Sequence, residues 1–310
     1  MDEKSDLEKT LNNQKINYET LWRGIIRPPR DSYSLEELGP ESFNFMQKEC
    51  VREDYTLMSK TGYLISCSFY RFSPSNRTPY IRPVVIYLHG NSSSRLEGKR
   101  MMKYLFSKNI DIFTFDFSGS GMSEGEFISL GYHEQNDVKT VVDFVEKLPG
   151  VGRIGLWGRS MGAATTMMYA HQDERIKAIC VDSPFYNFRE LAKELCYKEK
   201  GVPGFLVDTA LFFVKKTVKS KNNLEIDKLK PIDYADATTC PAIFIHAMKD
   251  ELIPHTHSVK LFEKYAGKKS LNIVEGKHNS VRQKHIIDKV IKFFEENLFE
   301  GEKGEELTFD

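Results

Sequence analysis

A serine hydroxyl becomes a useful nucleophile only when a neighbouring base takes its proton. The sequence carries G-x-S-x-G twice, as Gly121-Met122-Ser123-Glu124-Gly125 and as Gly158-Arg159-Ser160-Met161-Gly162. The two differ in their surroundings. An apolar run, Arg153-Ile154-Gly155-Leu156-Trp157, leads directly into Ser160, and a helical stretch from Met161 to Gln172 follows. A serine on such a strand-to-helix turn sits in strained backbone. Side chains two residues to either side would collide, so both become glycine. Ala163 and Ala164 then let the helix approach the strand. Ser123 follows the glycine-rich Ser118-Gly119-Ser120-Gly121 and no strand. Ser160 is therefore expected to be the nucleophile, and the loop around Ser123 to shape the rim of its site.

Eight histidines could serve as the base. His278, in Glu275-Gly276-Lys277-His278-Asn279-Ser280, lies on a loop between the run Leu271 to Val274 and the last helical stretch. A loop position lets the imidazole swing to Ser160, and an unperturbed pKa near 6.5 suits proton abstraction at neutral pH. His246 falls on a strand and is expected to be a satisfied buried histidine. His285, His133 and His171 fall on or near helices. With the chain order serine, acid, histidine, Asp250 is the leading acid. It follows the run Ala242 to His246 and precedes His278 by one helix and one strand, which brings both to one sheet edge. Its rivals are the adjacent Glu251 and Asp182, which follows an earlier strand. The oxyanion of a tetrahedral intermediate needs two backbone donors. Met161 N–H is one. Asn91 is expected to supply the other, because Gly90 lets the chain turn after the run Val84 to Leu88, and His89 braces that loop.

Those residues need a scaffold. Val51 to Ser59 and Leu64 to Arg71 read as antiparallel strands joined at Thr61-Gly62. The runs at 84–88, 112–115, 153–157, 176–181, 242–246 and 271–274 are apolar without alternation, as in parallel strands buried on both faces. Helical spacing fills the gaps at 98–108, 131–148, 161–172, 254–266 and 280–298. The expected fold is α/β, with a doubly wound, mostly parallel sheet. Phe185 to Thr239 is too long for a crossover. Phe185, Phe188, Ala192 and Leu195, then Phe205, Thr209, Phe212 and Lys216, repeat at helical intervals and suggest two inserted cap helices. The organisation is thus a tail and proline-punctuated arm (1–47), a catalytic domain (48–298) with the insertion at 185–239, and an acidic tail (299–310). The arm, with Arg27-Pro28-Pro29-Arg30, reads as a strap on the domain edge.

Composition narrows the remaining options. Across 310 residues, 44 basic and 44 acidic side chains cancel, which argues against nucleic acid held by phosphate neutralisation. No apolar run is long enough to span a bilayer, and the acidic N-terminus is no secretory signal. The five cysteines, odd in number and scattered, read as reduced thiols of a cytoplasmic protein. His255-Thr256-His257 has metal-like spacing without a third ligand nearby, and no phosphate-binding glycine motif follows a strand. No metal or cofactor is expected. Lys215, Lys216, Lys219 and Lys221 leave peripheral contact with anionic lipid open.

Taken together, residues 48 to 298 resemble the α/β-hydrolase superfamily. The strings Asp116-Phe117-Ser118-Gly119-Ser120-Gly121, Leu156-Trp157-Gly158-Arg159-Ser160-Met161-Gly162-Ala163, Asp182-Ser183-Pro184-Phe185 and Gly276-Lys277-His278-Asn279 are similar to its serine-aminopeptidase-like, BAAT/BEM46-like branch, in a plant and protist group. The resemblance and the motifs imply a serine hydrolase acting on a small-molecule or acylated substrate, an ester or thioester with an apolar acyl group. A peptidase or acyltransferase with the same triad, and a non-catalytic scaffold of the same fold, are the alternatives.

Overall fold

The structure is a computed structural model that describes residues 18–73, 81–200 and 203–299. The expected N-terminal tail to residue 17, and the acidic C-terminal tail beyond Phe299, lie outside them. In chain order the strands are β1 (Ser42–Phe45), β2 (Lys48–Met58), β3 (Leu64–Phe72), β4 (Arg82–Leu88), β5 (Asp111–Phe115), β6 (Val151–Arg159), β7 (Ile176–Asp182), β8 (Ala242–Ala247) and β9 (Lys269–Val274). The helices are α1 (Tyr18–Ile26), α2 (Leu96–Lys99), α3 (Met102–Phe106), α4 (Glu134–Val145), α5 (Met161–Tyr169), α6 (Phe188–Lys200), α7 (Gly204–Asn222), α8 (Thr256–Lys264) and α9 (Lys284–Leu298).

These strands form one sheet, in the order β1-β2-β3-β5-β4-β6-β7-β8-β9. β1, β2, β3 and β5 pair antiparallel, and every pair from β5 through β4 to β9 is parallel. Burial follows from this. β5 and β8, each flanked by strands on both sides, are buried at every residue, whereas β2 alternates along its outer half between exposed and covered positions. That is the difference between a strand roofed on both faces and one with a wet face. Valines of α4 and the small residues of α5 cover one side, together with Leu261 of α8. Leu105 and Phe106 of α3 and the apolar stripe of α9 (Ile286, Ile287, Val290, Ile291, Phe294, Leu298) cover the other.

The order reverses at β4, which has β5 on one side and β6 on the other. Such a switch point opens a crevice beyond the carboxyl ends of the strands. The register brings those ends level: Leu88 pairs with Gly158, Arg159 with Asp182, Asp182 with Ile245, and Ala247 with Val274. The loops carrying Asn91, Ser160, Asp250 and His278 all leave from this edge.

Three local expectations change. The helix read over 98–108 is two short pieces, α2 and α3. β1 was not anticipated. In α7 the repeat Phe205, Thr209, Phe212, Lys216 faces solvent, and the buried stripe is Val207, Ala210, Leu211, Val214 and Val218. Both stripes have helical period, and only packing against α1 and α6 decides which one turns inward.

The arm latches onto the G-x-S-x-G loop around Ser123. The Arg30 guanidinium donates to the carbonyls of Gly121 (2.8 Å), Gly125 (3.0 Å), Ser120 (3.2 Å) and Ser123. Tyr33 Oη donates to Asp116 Oδ2 at 2.6 Å, and Ser94 Oγ donates to Asp31 Oδ2 at 2.6 Å. The strap therefore grips the loop that follows Asn91 as well.

Candidate active site

Ser160 sits between β6 and α5 with φ 51° and ψ −115°, a left-handed backbone that a non-glycine residue adopts only when its surroundings impose it. The flanking glycines do this. A Cβ on Gly158 would lie 2.5 Å from the Gly162 carbonyl carbon, and one on Gly162 would lie 2.6 Å from the Leu88 carbonyl carbon and 2.7 Å from His89 O. Their absence lets α5 close onto the ends of β4 and β6. Ser160 N–H donates to Asp182 O at 2.8 Å, which ties the turn to β7.

His278 bridges to both expected partners. Its Nε2 lies 3.0 Å from Ser160 Oγ and its Nδ1 lies 2.6 Å from Asp250 Oδ2. An ionised carboxylate only accepts, so Nδ1 carries the hydrogen and Nε2 is free to accept from Ser160 Oγ–H. Asp250 is buried, and its Oδ1 accepts the N–H of Leu252 (2.9 Å) and of Ile253 (2.7 Å). Burial opposes its ionisation. Hydrogen bonds from His246 and His278, the charge of His278 and the Ile253 N–H outweigh it and hold the carboxyl well below the usual range. His246 is fully buried and satisfied, as its strand position suggested. Its Nδ1 accepts from Ser258 Oγ at 2.7 Å, while Nε2–H donates to Ile253 O at 2.7 Å and lies 3.3 Å from Asp250 Oδ2. That last contact makes it a support for the acid, which its position in the sequence did not signal.

The loop after β4 lies against Ser160, where a Cβ on Gly90 would meet Ser160 Cβ at 3.6 Å. Gly90 N–H donates to Glu97 Oε2 at 2.9 Å. His89 Nδ1–H donates to Gly90 O at 2.8 Å, and His89 Nε2 accepts the Phe117 N–H at 3.1 Å. A trans peptide points its C=O and N–H in opposite directions, so holding Gly90 O orients the Asn91 N–H. Among the described residues neither Asn91 N–H nor Met161 N–H has an acceptor.

Neither rival acid takes the place of Asp250. Asp182 is held by Arg282, whose Nη2 donates to Oδ1 at 2.7 Å and whose Nε donates to Oδ2 at 3.0 Å, both side chains being buried. Glu251 meets the backbone N–H of His278 at 3.4 Å, not the ring. Arg282→Met would leave the Asp182 charge buried without its ionic partner. It should cost about 3–5 kcal/mol of stability, read from the urea midpoint at pH 7. The Ser123 hydroxyl is buried and spoken for, donating to Asp116 O (2.6 Å) and accepting from Ser66 N (2.9 Å). His257 is a packing link whose Nε2 lies 2.9 Å from Glu194 Oε2. Cys67 and Cys180 are buried, and burial pushes both thiols up.

Residues 79–230 match the Hydrolase_4 family model, described as serine aminopeptidase S33. The chain is 28% identical to YqkD, an uncharacterized protein of Bacillus subtilis (strain 168), over 80% of this chain and 83% of that one. It is 30% identical to the lysophosphatidylserine lipase ABHD12 of Danio rerio over 61% of this chain and 49% of that one, so it spans about half of that relative's length. The esterase Pf2001 of Pyrococcus furiosus superposes with a TM-score of 0.65 at 20% identity, over 88% of this chain and 100% of the other. The chain has the α/β-hydrolase fold and is similar to these hydrolases over most of its catalytic domain. The segment matched by the family model contains Asn91, Ser160 and Met161 but stops before Asp250 and His278. The pairing of those two with the serine therefore rests on distance and hydrogen bonding. No helix among the described residues is long and apolar enough to cross a membrane.

Proposed function

We propose that this hydrolase cleaves an ester or thioester with an apolar acyl group through a covalent intermediate on Ser160. The observation that carries the reading is the unbroken hydrogen-bonded run from Ser160 Oγ through His278 to Asp250. His278 Nε2 takes the Ser160 proton as Oγ attacks the acyl carbon. Asp250 stabilises the imidazolium so formed. The N–H groups of Met161 and Asn91 hold the oxyanion. His278 then gives its proton to the leaving alkoxide or thiolate, and a water activated by the same ring releases the acid and restores Ser160.

Apolar side chains exposed on the loops of the acid and base support an apolar acyl group: Met248 and Leu252 flank Asp250, and Val281 follows His278. The similarity to ABHD12, named for a lipid ester, supports it too. An aminopeptidase needs a carboxylate for the substrate ammonium. Glu97 and Asp182, both at this edge, are each occupied by an arginine. The test is a fluorophosphonate adduct located by peptide mapping, with a chain-length series of nitrophenyl esters and acyl-CoA thioesters. The adduct is expected on Ser160, with kcat/KM rising with acyl length. No adduct on Ser160, or cleavage of aminoacyl amides in preference to esters, overturns the reading.

A further inference from the structure

Arg159 occupies the variable position just before the nucleophile, and its side chain reaches both Glu97 on α2 and the loop of His278. Its Nη1 lies 2.5 Å from Glu97 Oε1. Its Nη2 donates to the backbone carbonyl of His278 at 2.9 Å and faces Asn279 Oδ1 at 3.3 Å. The other oxygen of Glu97 holds the Gly90 N–H. One planar guanidinium and one buried carboxylate thus connect the Gly90–Asn91 turn, the peptide of Ser160 and the loop of His278.

We propose that Arg159 and Glu97 form a positioning bracket that sets the distance between the oxyanion-binding turn and the base, so that both face Ser160 at once. The inference rests on the serine-hydrolase reading above and adds residues that touch neither substrate nor reacting atoms. Several features favour a bracket over an incidental ion pair. The Glu97 side chain is 7% exposed and the Arg159 side chain 21%, so the pair is shielded from the solvent that makes surface pairs nearly worthless. Burial disfavours a charged Glu97, but Arg159 and the Gly90 N–H reverse this and lower its pKa, which keeps an acceptor on the turn. The two donating nitrogens of Arg159 point to different elements, one to Glu97 on α2 and the other to the loop of His278. A guanidinium fork does this in one rigid plane, whereas a lysine ammonium is a single point of charge. Gly90 is pinned on its N–H by this bracket and on its C=O by His89. Releasing the first leaves the turn free to rotate. A displacement of about 1 Å at such a turn is enough to cost roughly 10²-fold in rate.

The experiment compares wild type with Arg159→Lys, Arg159→Met, Glu97→Gln and the Glu97→Gln/Arg159→Met double variant. It uses steady-state hydrolysis of a nitrophenyl ester, the rate of fluorophosphonate labelling, and thermal melting. Arg159→Lys is expected to keep a near-native melting temperature and yet lose about 10- to 100-fold in kcat, with KM changed by less than about threefold. Labelling should slow in parallel. The double variant should be no slower than Arg159→Met, because the bracket is already open. It also removes the unpaired buried charge, so it reports on rate even where the single variant folds poorly. Wild-type kcat in Arg159→Lys and in the double variant, a loss confined to KM, or strictly multiplicative losses in the cycle would overturn the bracket. A wild-type protein that neither labels nor turns over would instead overturn the serine-hydrolase reading itself.

Discussion

Ser160→Ala is expected to lower ester turnover by at least about 10⁴-fold and to abolish fluorophosphonate labelling, without lowering the melting temperature. In the proposed mechanism the hydroxyl is the attacking atom, and its removal would leave only the oxyanion donors and binding to accelerate the reaction. Asp250→Asn should fall about 10⁴-fold by a different route. In the native site Oδ1 accepts two backbone N–H groups, and Oδ2 faces the rings of His278 and His246. An asparagine keeps its oxygen toward the backbone donors and so turns its NH₂ toward His278 Nδ1. That drives the imidazole proton to Nε2, where it faces Ser160 and cannot accept. Ser160→Ala/Asp250→Asn should be no slower than Ser160→Ala alone, since the three side chains act as a unit. A double variant markedly slower than the serine variant would argue that Asp250 acts outside the proton path.

The same carboxylate carries a stability signature. Its folded pKa is depressed, so its contribution is complete above the unfolded aspartate value of about 3.9 and is lost as pH falls toward the folded value. The melting temperatures of wild type and Asp250→Asn should differ at neutral pH and converge below about pH 4. A gap that stays constant down to pH 2 would mean that Asp250 is not held ionised in this way.

What the sequence made legible depends on how local the signal is. The central strands are unbroken apolar runs, which only a doubly covered sheet explains, and their alternation with helical spacing implies the parallel order. Ser160 stands out because both its glycines and the strand leading into it are contiguous. His278 and Asp250 follow from their places after successive strands. The supports are different. Glu97 meets Arg159 across 62 positions, and Asp182 meets Arg282 across 100. Each of these charges looks, in sequence, like a solvated residue at the end of an element. Burial is what turns it into a pair, and burial is a property of the assembled sheet edge. The two stripes of α7 make the same point. Phe205 and Phe212 are more apolar than the valines opposite, yet they face outward because α1 and α6 pack on the valine side.

Glycine to alanine changes should separate positions where the fold needs a missing Cβ from positions where it does not. Gly162→Ala puts a methyl carbon onto the Leu88 carbonyl, 2.6 Å from its carbon and 2.7 Å from His89 O. Both obstacles are backbone at the end of central β4, so no rotamer change relieves the clash, and α5 must move away from the sheet. That shift would carry the Met161 N–H, next in the chain after Ser160, away from the partners of Ser160. We expect a stability loss of about 3 kcal/mol or more, read from urea denaturation, together with loss of labelling at Ser160. Gly24→Ala is the counterpart within α1. Nothing among the described residues lies within 4 Å of its Cβ position, and the helix there does not require positive φ. The substitution should raise stability by about 0.5–1 kcal/mol, because alanine loses less conformational freedom on folding. Equal effects at the two positions would mean that helix propensity, and not close approach of α5 to β4, is what Gly162 provides.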